Sequence, residues 1–344
     1  MKKMLTVLLT VALVTAFSVP AFAASGSTKA NTASKVKVTK MTMKYNVKGY
    51  KATIKYPRVS GMKNKTAEKK INKSLYKSAK TALNEGKKNF AQLKKDNVSN
   101  IHCVTIFTYK VKYNKNNLLS IVMEDYQDMG GAHGMTVQRA KTFNVTTGQQ
   151  ITFRSLFSDS TSATSLINAS VRKQIDSRKV VEISKFNSIS STPDFYLYNN
   201  GVVVYFQEYQ YFPYAEGIQE FKTTFNTLQP YMAGKYSLLN PYLTALNTAS
   251  TKNLKTGYYG YIKVAANSTT GYSWTAVSDN ATAVKVIKQY YIAKPNPKHL
   301  DGVGGTEIII VRGEAAGTAS INCTYARSSD TSGSTSRVYK VAVQ

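Results

Sequence analysis

The chain has 344 residues, with 46 Lys and Arg against 18 Asp and Glu for a net charge of +28, and it holds two Cys, one Trp and 24 Tyr. A hydrophobic content of 42% is too high for a disordered chain and supports packed cores. Two cysteines exclude a disulfide scaffold and a cysteine-rich zinc protein, and at roughly 100–200 residues per domain the length implies two domains or a little more.

Lys2 and Lys3 precede an apolar run from Met4 to Val19 that Pro20 breaks and Ala21-Phe22-Ala23 follows. This is the order of a signal peptide cut after a small-x-small site, and the run falls short of the ~20 apolar residues of a membrane span. We expect residues 1–23 to be removed, leaving a mature chain near Ala24 that has no membrane span and is secreted or associated with the cell surface. Residues 24–40 read as a leader.

From Val36 to Tyr56 apolar residues alternate with Lys or Thr, the period of two half-buried strands. Between Asn64 and Leu93 the apolar positions Ala67, Ile71, Leu75, Ala79, Ala82, Leu83, Phe90 and Leu93 recur by threes and fours, which predicts an amphipathic helix with a lysine face. Gly86 reads as a weak point or an end. Strands are expected over Ile101–Tyr113, Leu118–Tyr126 and Val137–Val145, with Gly130-Gly131-Ala132-His133-Gly134 between the last two and Thr147-Gly148 as a turn. Leu166, Ile167, Val171 and Ile175 mark a second helix, and Gly201–Phe206 a buried strand. Interleaved helices and strands predict an α+β N-terminal domain, a basic binding domain over residues 41–246.

The charge is concentrated there. Lys29–Lys115 holds 23 basic residues against Glu68, Glu85 and Asp96, whereas residues 116–250 hold ten of each sign. An excess of +20 in one segment suits a polyanion, which for an exported chain is an anionic cell-wall polymer, an acidic glycan or anionic lipid heads. A solvated lysine face that only maintains solubility is the plainer alternative. Nucleic acid is not expected, since no RNA-recognition, zinc-finger or helix-turn-helix pattern occurs.

Periodicity fades from Thr244, and residues 247–256 read as a linker. Beyond it, over 257–344, short strands are expected at Tyr261–Ala265, Trp274–Val277, Val284–Ile292, Thr306–Arg312, Thr318–Tyr325 and Arg337–Val343, separated by Gly, Ser, Asn and Asp turns. With no helical window, this predicts an all-β immunoglobulin-like sandwich.

Residues that could carry chemistry are sparse. His102 and Cys103 would point to opposite faces of a strand and so cannot form a dyad. Glu124, Asp125, Asp128 and His133 make a weak metal pattern, and Glu208, Glu216 and Glu220 read as ordinary charge rather than paired glycosidase acids. Cys103 and Cys323 read as two buried free thiols, with an interdomain disulfide in an oxidising compartment as the alternative. The expectation is therefore a protein that is not an enzyme and needs no metal or cofactor.

Two loops are more specific. One is Asn267-Ser268-Thr269-Thr270-Gly271-Tyr272-Ser273-Trp274; the other is His299-Leu300-Asp301-Gly302-Val303-Gly304-Gly305-Thr306; Tyr325-Ala326-Arg327 ends a later strand. Together and in this order they resemble the chagasin-type inhibitors of papain-like cysteine peptidases over about Tyr258 to Gln344. The resemblance implies a wedge that fills the peptidase cleft without a covalent bond. It places Asn267, Thr269, Thr270, Gly271 and Tyr272 in the loop over the catalytic cysteine, with Gly302, Gly304 and Gly305 in a second contact and Arg327 in a third. Ser268 stands where that family has proline, and Ser328-Ser329 where it has a proline and an aromatic residue. The third loop thus lacks a large anchor.

The region from Met41 to Leu243 resembles the extracytoplasmic domain pair of lysozyme-sensing anti-sigma factors and secreted peptidoglycan deacetylases. The likeness rests on Asp125-Tyr126, Gly130-Gly131-Ala132-His133, Thr147-Gly148, Leu156-Phe157 and the run Tyr214-Ala215-Glu216-Gly217 with Gln219-Glu220-Phe221. It implies binding of protein or wall material, with no deacetylase domain present. The sequence thus reads as a secreted inhibitor of papain-like cysteine peptidases carrying an envelope- or protein-binding domain. The alternative is an extracellular sensor or adhesin that binds lysozyme or anionic wall polymer without inhibiting anything.

Overall fold

Alternation from Lys37 builds a hairpin of β1 (Lys37–Val47) and β2 (Tyr50–Ser60), turned at Gly49 with φ 85°. The computed structural model describes residues 35–327 and 333–344 apart from 295, 297–299 and 301. The expected signal peptide, the leader up to residue 34 and Ser328-Ser329 lie outside the described residues. After β2, helix α1 (Lys65–Lys95) crosses to β3 (Cys103–Lys115), which pairs parallel with β2, and β4 (Leu118–Asp128) and β5 (Met135–Asn144) complete a five-stranded sheet in chain order. Asn64 caps α1, its Oδ1 accepting the Ala67 N–H at 3.0 Å. The apolar stripe Ala67, Ile71, Leu75, Ala79 and Ala82 is buried against Tyr50, Ile54, Phe107 and Met123 of the sheet. Gly86 does not end the helix. It is buried where a Cβ would overlap the Tyr50 hydroxyl and Thr105 Oγ1, so the glycine serves close helix–sheet approach.

The region 41–246 holds two cores rather than one. The second is built by α2 (Ser160–Arg178) on a small antiparallel sheet of β6 (Phe195–Tyr198), β7 (Gly201–Phe206) and β8 (Gln219–Thr224). All six residues of β7 are buried, as the continuous apolar run predicts for a strand covered on both faces. One face receives Ile167, Val171 and Ile175 of α2; on the other, Val203 and Tyr205 cluster with Val122 of β4. The Leu197 N–H donates to Ser120 Oγ at 3.0 Å, fixing β6 on the first sheet.

Strands resume earlier than composition suggests. The stretch read as a linker holds β10 (Lys252–Leu254) and is preceded by β9 (Thr244–Ala245). These add parallel edges to the two sheets of the sandwich formed by β11 (Tyr259–Ala266), β12 (Tyr272–Ser278), β13 (Val284–Ala293), β14 (Gly305–Gly313), β15 (Gly317–Arg327) and β16 (Thr335–Val343). The sheet orders are β10-β16-β15-β12 and β13-β14-β11-β9. Ile262, Val264, Trp274, Val284, Ile309, Val311, Ile321 and Val341 fill the space between them, and Leu254 from the former linker and Leu246 just before it join that core. The outer face of the second sheet meets the preceding region: Tyr290 donates its hydroxyl to the Met232 carbonyl at 2.7 Å, and Lys288 Nζ lies 2.6 Å from Ser158 Oγ. Cys103 and Cys323 are both free and buried. Among the described residues no helix is long and apolar enough to cross a membrane.

Candidate functional site

Strand registers bring the distant loops of the sandwich together. Ala266, the last residue of β11, pairs with Gly305, the first of β14, while Tyr272, the first of β12, pairs with Arg327, the last of β15. Connections leaving these four ends must therefore cluster at one end of the sandwich.

Asn267 organises the first loop. Its Oδ1 accepts from the Thr269 N–H at 3.2 Å and from the Thr269 hydroxyl at 2.8 Å, and its carbonyl accepts the Thr270 hydroxyl at 2.7 Å. Ser268–Thr270 consequently close a single 3-10 turn, which Gly271 ends with φ 75°, a left-handed backbone that favours glycine. Ser268, Thr269, Thr270 and Gly271 are all exposed, and a Cβ on Gly271 would meet nothing within 4 Å. The apex is small, fixed from within and open on its outer side.

The second loop is tied to the first. Asn267 Nδ2 donates to the Gly302 carbonyl at 3.0 Å. Gly302 has φ 73° in open space; a Cβ on Gly304 would reach the Ala266 carbonyl at 3.0 Å, and one on Gly305 would reach the Ile292 carbonyl at 2.5 Å. Gly304 and Gly305 are thus needed for strand packing, and Gly302 is the member of the set that faces outward.

On the other side, an aromatic buttress supports the loop. Tyr325 stacks between Tyr272, at 5.2 Å between centroids, and Trp274, at 5.0 Å, and its hydroxyl accepts the Asn267 N–H at 2.9 Å. Arg327 lies 4.9 Å from the Tyr272 ring centroid. Trp274 is buried and donates its indole N–H to the Ala265 carbonyl at 2.9 Å, so it anchors the loop and leaves contact to its neighbours. All nine residues singled out by sequence therefore lie in one cluster. Tyr325 was missed as a member, although strand alternation puts it on the same face as Arg327 two positions on.

The other candidates do not assemble. Glu124 pairs with Lys110 at 2.8 Å and the buried Asp125 with Arg139 at 3.3 Å, while His133 stacks on Tyr214. Among the described residues no three His, Cys, Asp or Glu side chains converge as a metal site requires. Glu208 accepts the Thr136 N–H, Glu216 the Val181 N–H, and Glu220 the Tyr196 hydroxyl at 2.7 Å, so each fastens backbone or core. Burial pushes the Cys323 thiol up to about 11, which makes it a poor nucleophile. The outer face of α1 exposes Lys65, Lys69, Lys70, Lys73, Lys77, Lys80 and Lys88 in one row about 35 Å long at 1.5 Å per residue.

Comparison with known proteins follows the same division. Residues 253–343 match the family described as Chagasin family peptidase inhibitor I42, residues 43–136 the family Deacetylase PdaC, and residues 154–226 a protein family of unknown function, DUF3298. Chagasin of Trypanosoma cruzi is 33% identical over 90 residues, which cover 25% of this chain and 79% of chagasin. Among solved structures, the cysteine protease inhibitor EhICP2 of Entamoeba histolytica is 20% identical with a TM-score of 0.27, covering 30% of this chain and 96% of its own. A DUF3298 family member from Bacteroides fragilis is 13% identical with a TM-score of 0.46, covering 59% of this chain and 96% of its own.

Proposed function

The chain belongs to the chagasin family of peptidase inhibitors through residues 253–343, and we propose that it blocks papain-like cysteine peptidases by reversible occlusion of the active-site cleft. The observation that carries this reading is the pinned and exposed turn Ser268–Gly271, held by Asn267 and bonded across to Gly302. A cleft is narrow, and an inserted loop gains most when its bound shape exists beforehand, because little ordering is then needed on association. Thr269, Thr270 and Gly271 would enter over the catalytic cysteine, with Tyr272 beside them. Gly302 would let main chain approach one wall, and Arg327 would meet the other. No bond is made or broken in the inhibitor, so the role is binding rather than catalysis.

The row of lysines on α1 supports an additional envelope-binding role for the preceding region in a secreted or surface-associated protein, with an anionic cell-wall polymer as partner. Such binding relies on screened charge and should weaken with salt, whereas a wedge of small residues and glycines should not. Should the sandwich lack inhibitory activity, that region would act alone as a sensor or adhesin for wall polymer or lysozyme. Thr270→Asp separates the two functions. It places a charge at the loop apex and is expected to abolish peptidase inhibition while leaving retention on anionic wall polymer unchanged; equal loss of both would contradict the assignment of separate surfaces.

A further inference from the structure

One extra residue in β13 decides which way its later side chains face. Val286 pairs with Val311 and Lys288 with Ile310, which leaves Ile287 unpaired in a β-bulge. Before the bulge, Val284 and Val286 point into the sandwich core; by strand alternation Lys288 would follow them inward and Gln289 would face out. The bulge reverses this. Gln289 lies opposite Ile309 on the inner face, while Ile287, Tyr290 and Ile292 join the outer cluster.

The amide turned inward has two polar partners. Gln289 Nε2 donates to the Trp274 carbonyl at 2.9 Å and lies 3.4 Å from Glu307 Oε1. β12 and β13 are each outermost in their sheets, so the bond to Trp274 ties one sheet to the other along an open side. Glu307 pairs with Val264 of the core and so shares the inner face. Burial raises its carboxyl above the usual glutamate range, and the Gln289 amide acts against that shift. A half-buried polar bridge whose members satisfy one another fixes the groups it joins.

The bridge stands at the foot of both inhibitory loops. Trp274 follows Gly271 by three positions, and its indole N–H holds the Ala265 carbonyl two positions before Asn267. Glu307 follows Gly305 by two positions, and Gly305 pairs with Ala266. A circuit thus runs from Asn267 through Trp274, Gln289 and Glu307 to Gly305, and closes through the Gly302 carbonyl. Its upper half shapes the exposed turn, and its lower half sets the spacing of the strands from which the turn springs.

We propose that Gln289 is a positioning residue for the turn Ser268–Gly271, acting through the Trp274 carbonyl and not by touching a peptidase. This rests on the inhibitory reading of that turn. The test is hydrogen–deuterium exchange over residues 266–274 in the free chain from Ala24 onward, together with the inhibition constant against papain. Gln289→Met keeps the side-chain length and removes the donor. Ile321→Val thins the core beside Ser278, at the far end of β12, and is the control for lost stability alone. Expected for Gln289→Met are faster exchange over 266–274 and inhibition weakened by about tenfold, with neither change in Ile321→Val. Unchanged exchange in Gln289→Met, inhibition that this variant leaves intact, or equal changes in both variants would overturn the proposal. Faster exchange confined to Gln289→Met, in a chain whose parent does not inhibit, would support the positioning role and sink the inhibitory reading alone.

Discussion

Asn267 joins two loops that lie 35 positions apart: its Nδ2 donates to the Gly302 carbonyl at 3.0 Å, while its Oδ1 caps the turn that presents Thr269 and Thr270. One amide thereby sets both the shape of the first loop and its distance from the second. Asn267→Ala removes both sets of bonds from a half-buried position. At about 1 kcal/mol for each, unfolding stability should fall by up to about 2 kcal/mol, and inhibition should weaken by about tenfold or more as the loop loses its fixed shape. Inhibition constants and urea midpoints measured on the same preparations check this.

Leu246 and Leu254 are buried in the sandwich core although they precede its first long strand. A fragment starting at Lys255 loses both side chains and strands β9 and β10. Loss of large core side chains costs about 2–5 kcal/mol each. The fragment starting at Asn240 should therefore unfold at clearly higher urea than the one starting at Lys255, and equal midpoints would show that the edge strands contribute nothing.

Gly86 sits in mid-helix over the Tyr50–Thr105 hydrogen bond of 2.9 Å. Alanine there gains about 1 kcal/mol of helix propensity, but its methyl would overlap both buried hydroxyls. Overpacking of this kind costs about 1–3 kcal/mol, so Gly86→Ala should leave stability unchanged or lowered rather than raised. Chemical denaturation gives the sign directly.

Burial raises the Asp125 carboxyl above the usual aspartate range despite the Arg139 guanidinium beside it. An acid whose folded-state pKa is raised contributes stability that is full below the unfolded value of about 3.9 and is lost as pH rises through the folded value. Compared with Asp125→Asn, the parent should lose stability as pH increases across that interval and run parallel to the variant above it. The difference between the two urea midpoints, followed with pH, reads this out; a difference that moves the other way would show that the ion pair outweighs burial.

Much of the architecture was legible in the sequence wherever a periodic pattern met a single environment. The threefold and fourfold spacing of Ile71, Leu75 and Ala79 and the continuous run Gly201–Phe206 each have one packed solution. Elements without length were not legible: β9 and β10 have two and three residues, too few for any period, and their place is set by partners a hundred positions or fewer away in the sandwich. β6 and β8 flank the obvious β7 and owe their pairing to it. Gly86 illustrates a local rule overruled by contact, since its meaning lies in Tyr50 and Thr105. In the loops, residue types were informative because their geometry demands them: Asn267 must accept and donate, and Gly271 must turn left-handed. Tyr325 was named only as part of the motif before Arg327, because its role depends on the ring it faces across the sheet.

The proposed role of the exposed turn Ser268–Gly271 is to obstruct a peptidase cleft. The most direct measurement is the inhibition constant of the chain from Ala24 onward against a papain-like peptidase, with Gly271→Trp alongside. Reversible inhibition by the parent is expected, with its loss in the variant, whose indole widens the apex and whose backbone is strained at φ 75°. No inhibition of any of several papain-like peptidases, or inhibition that survives Gly271→Trp, would contradict it.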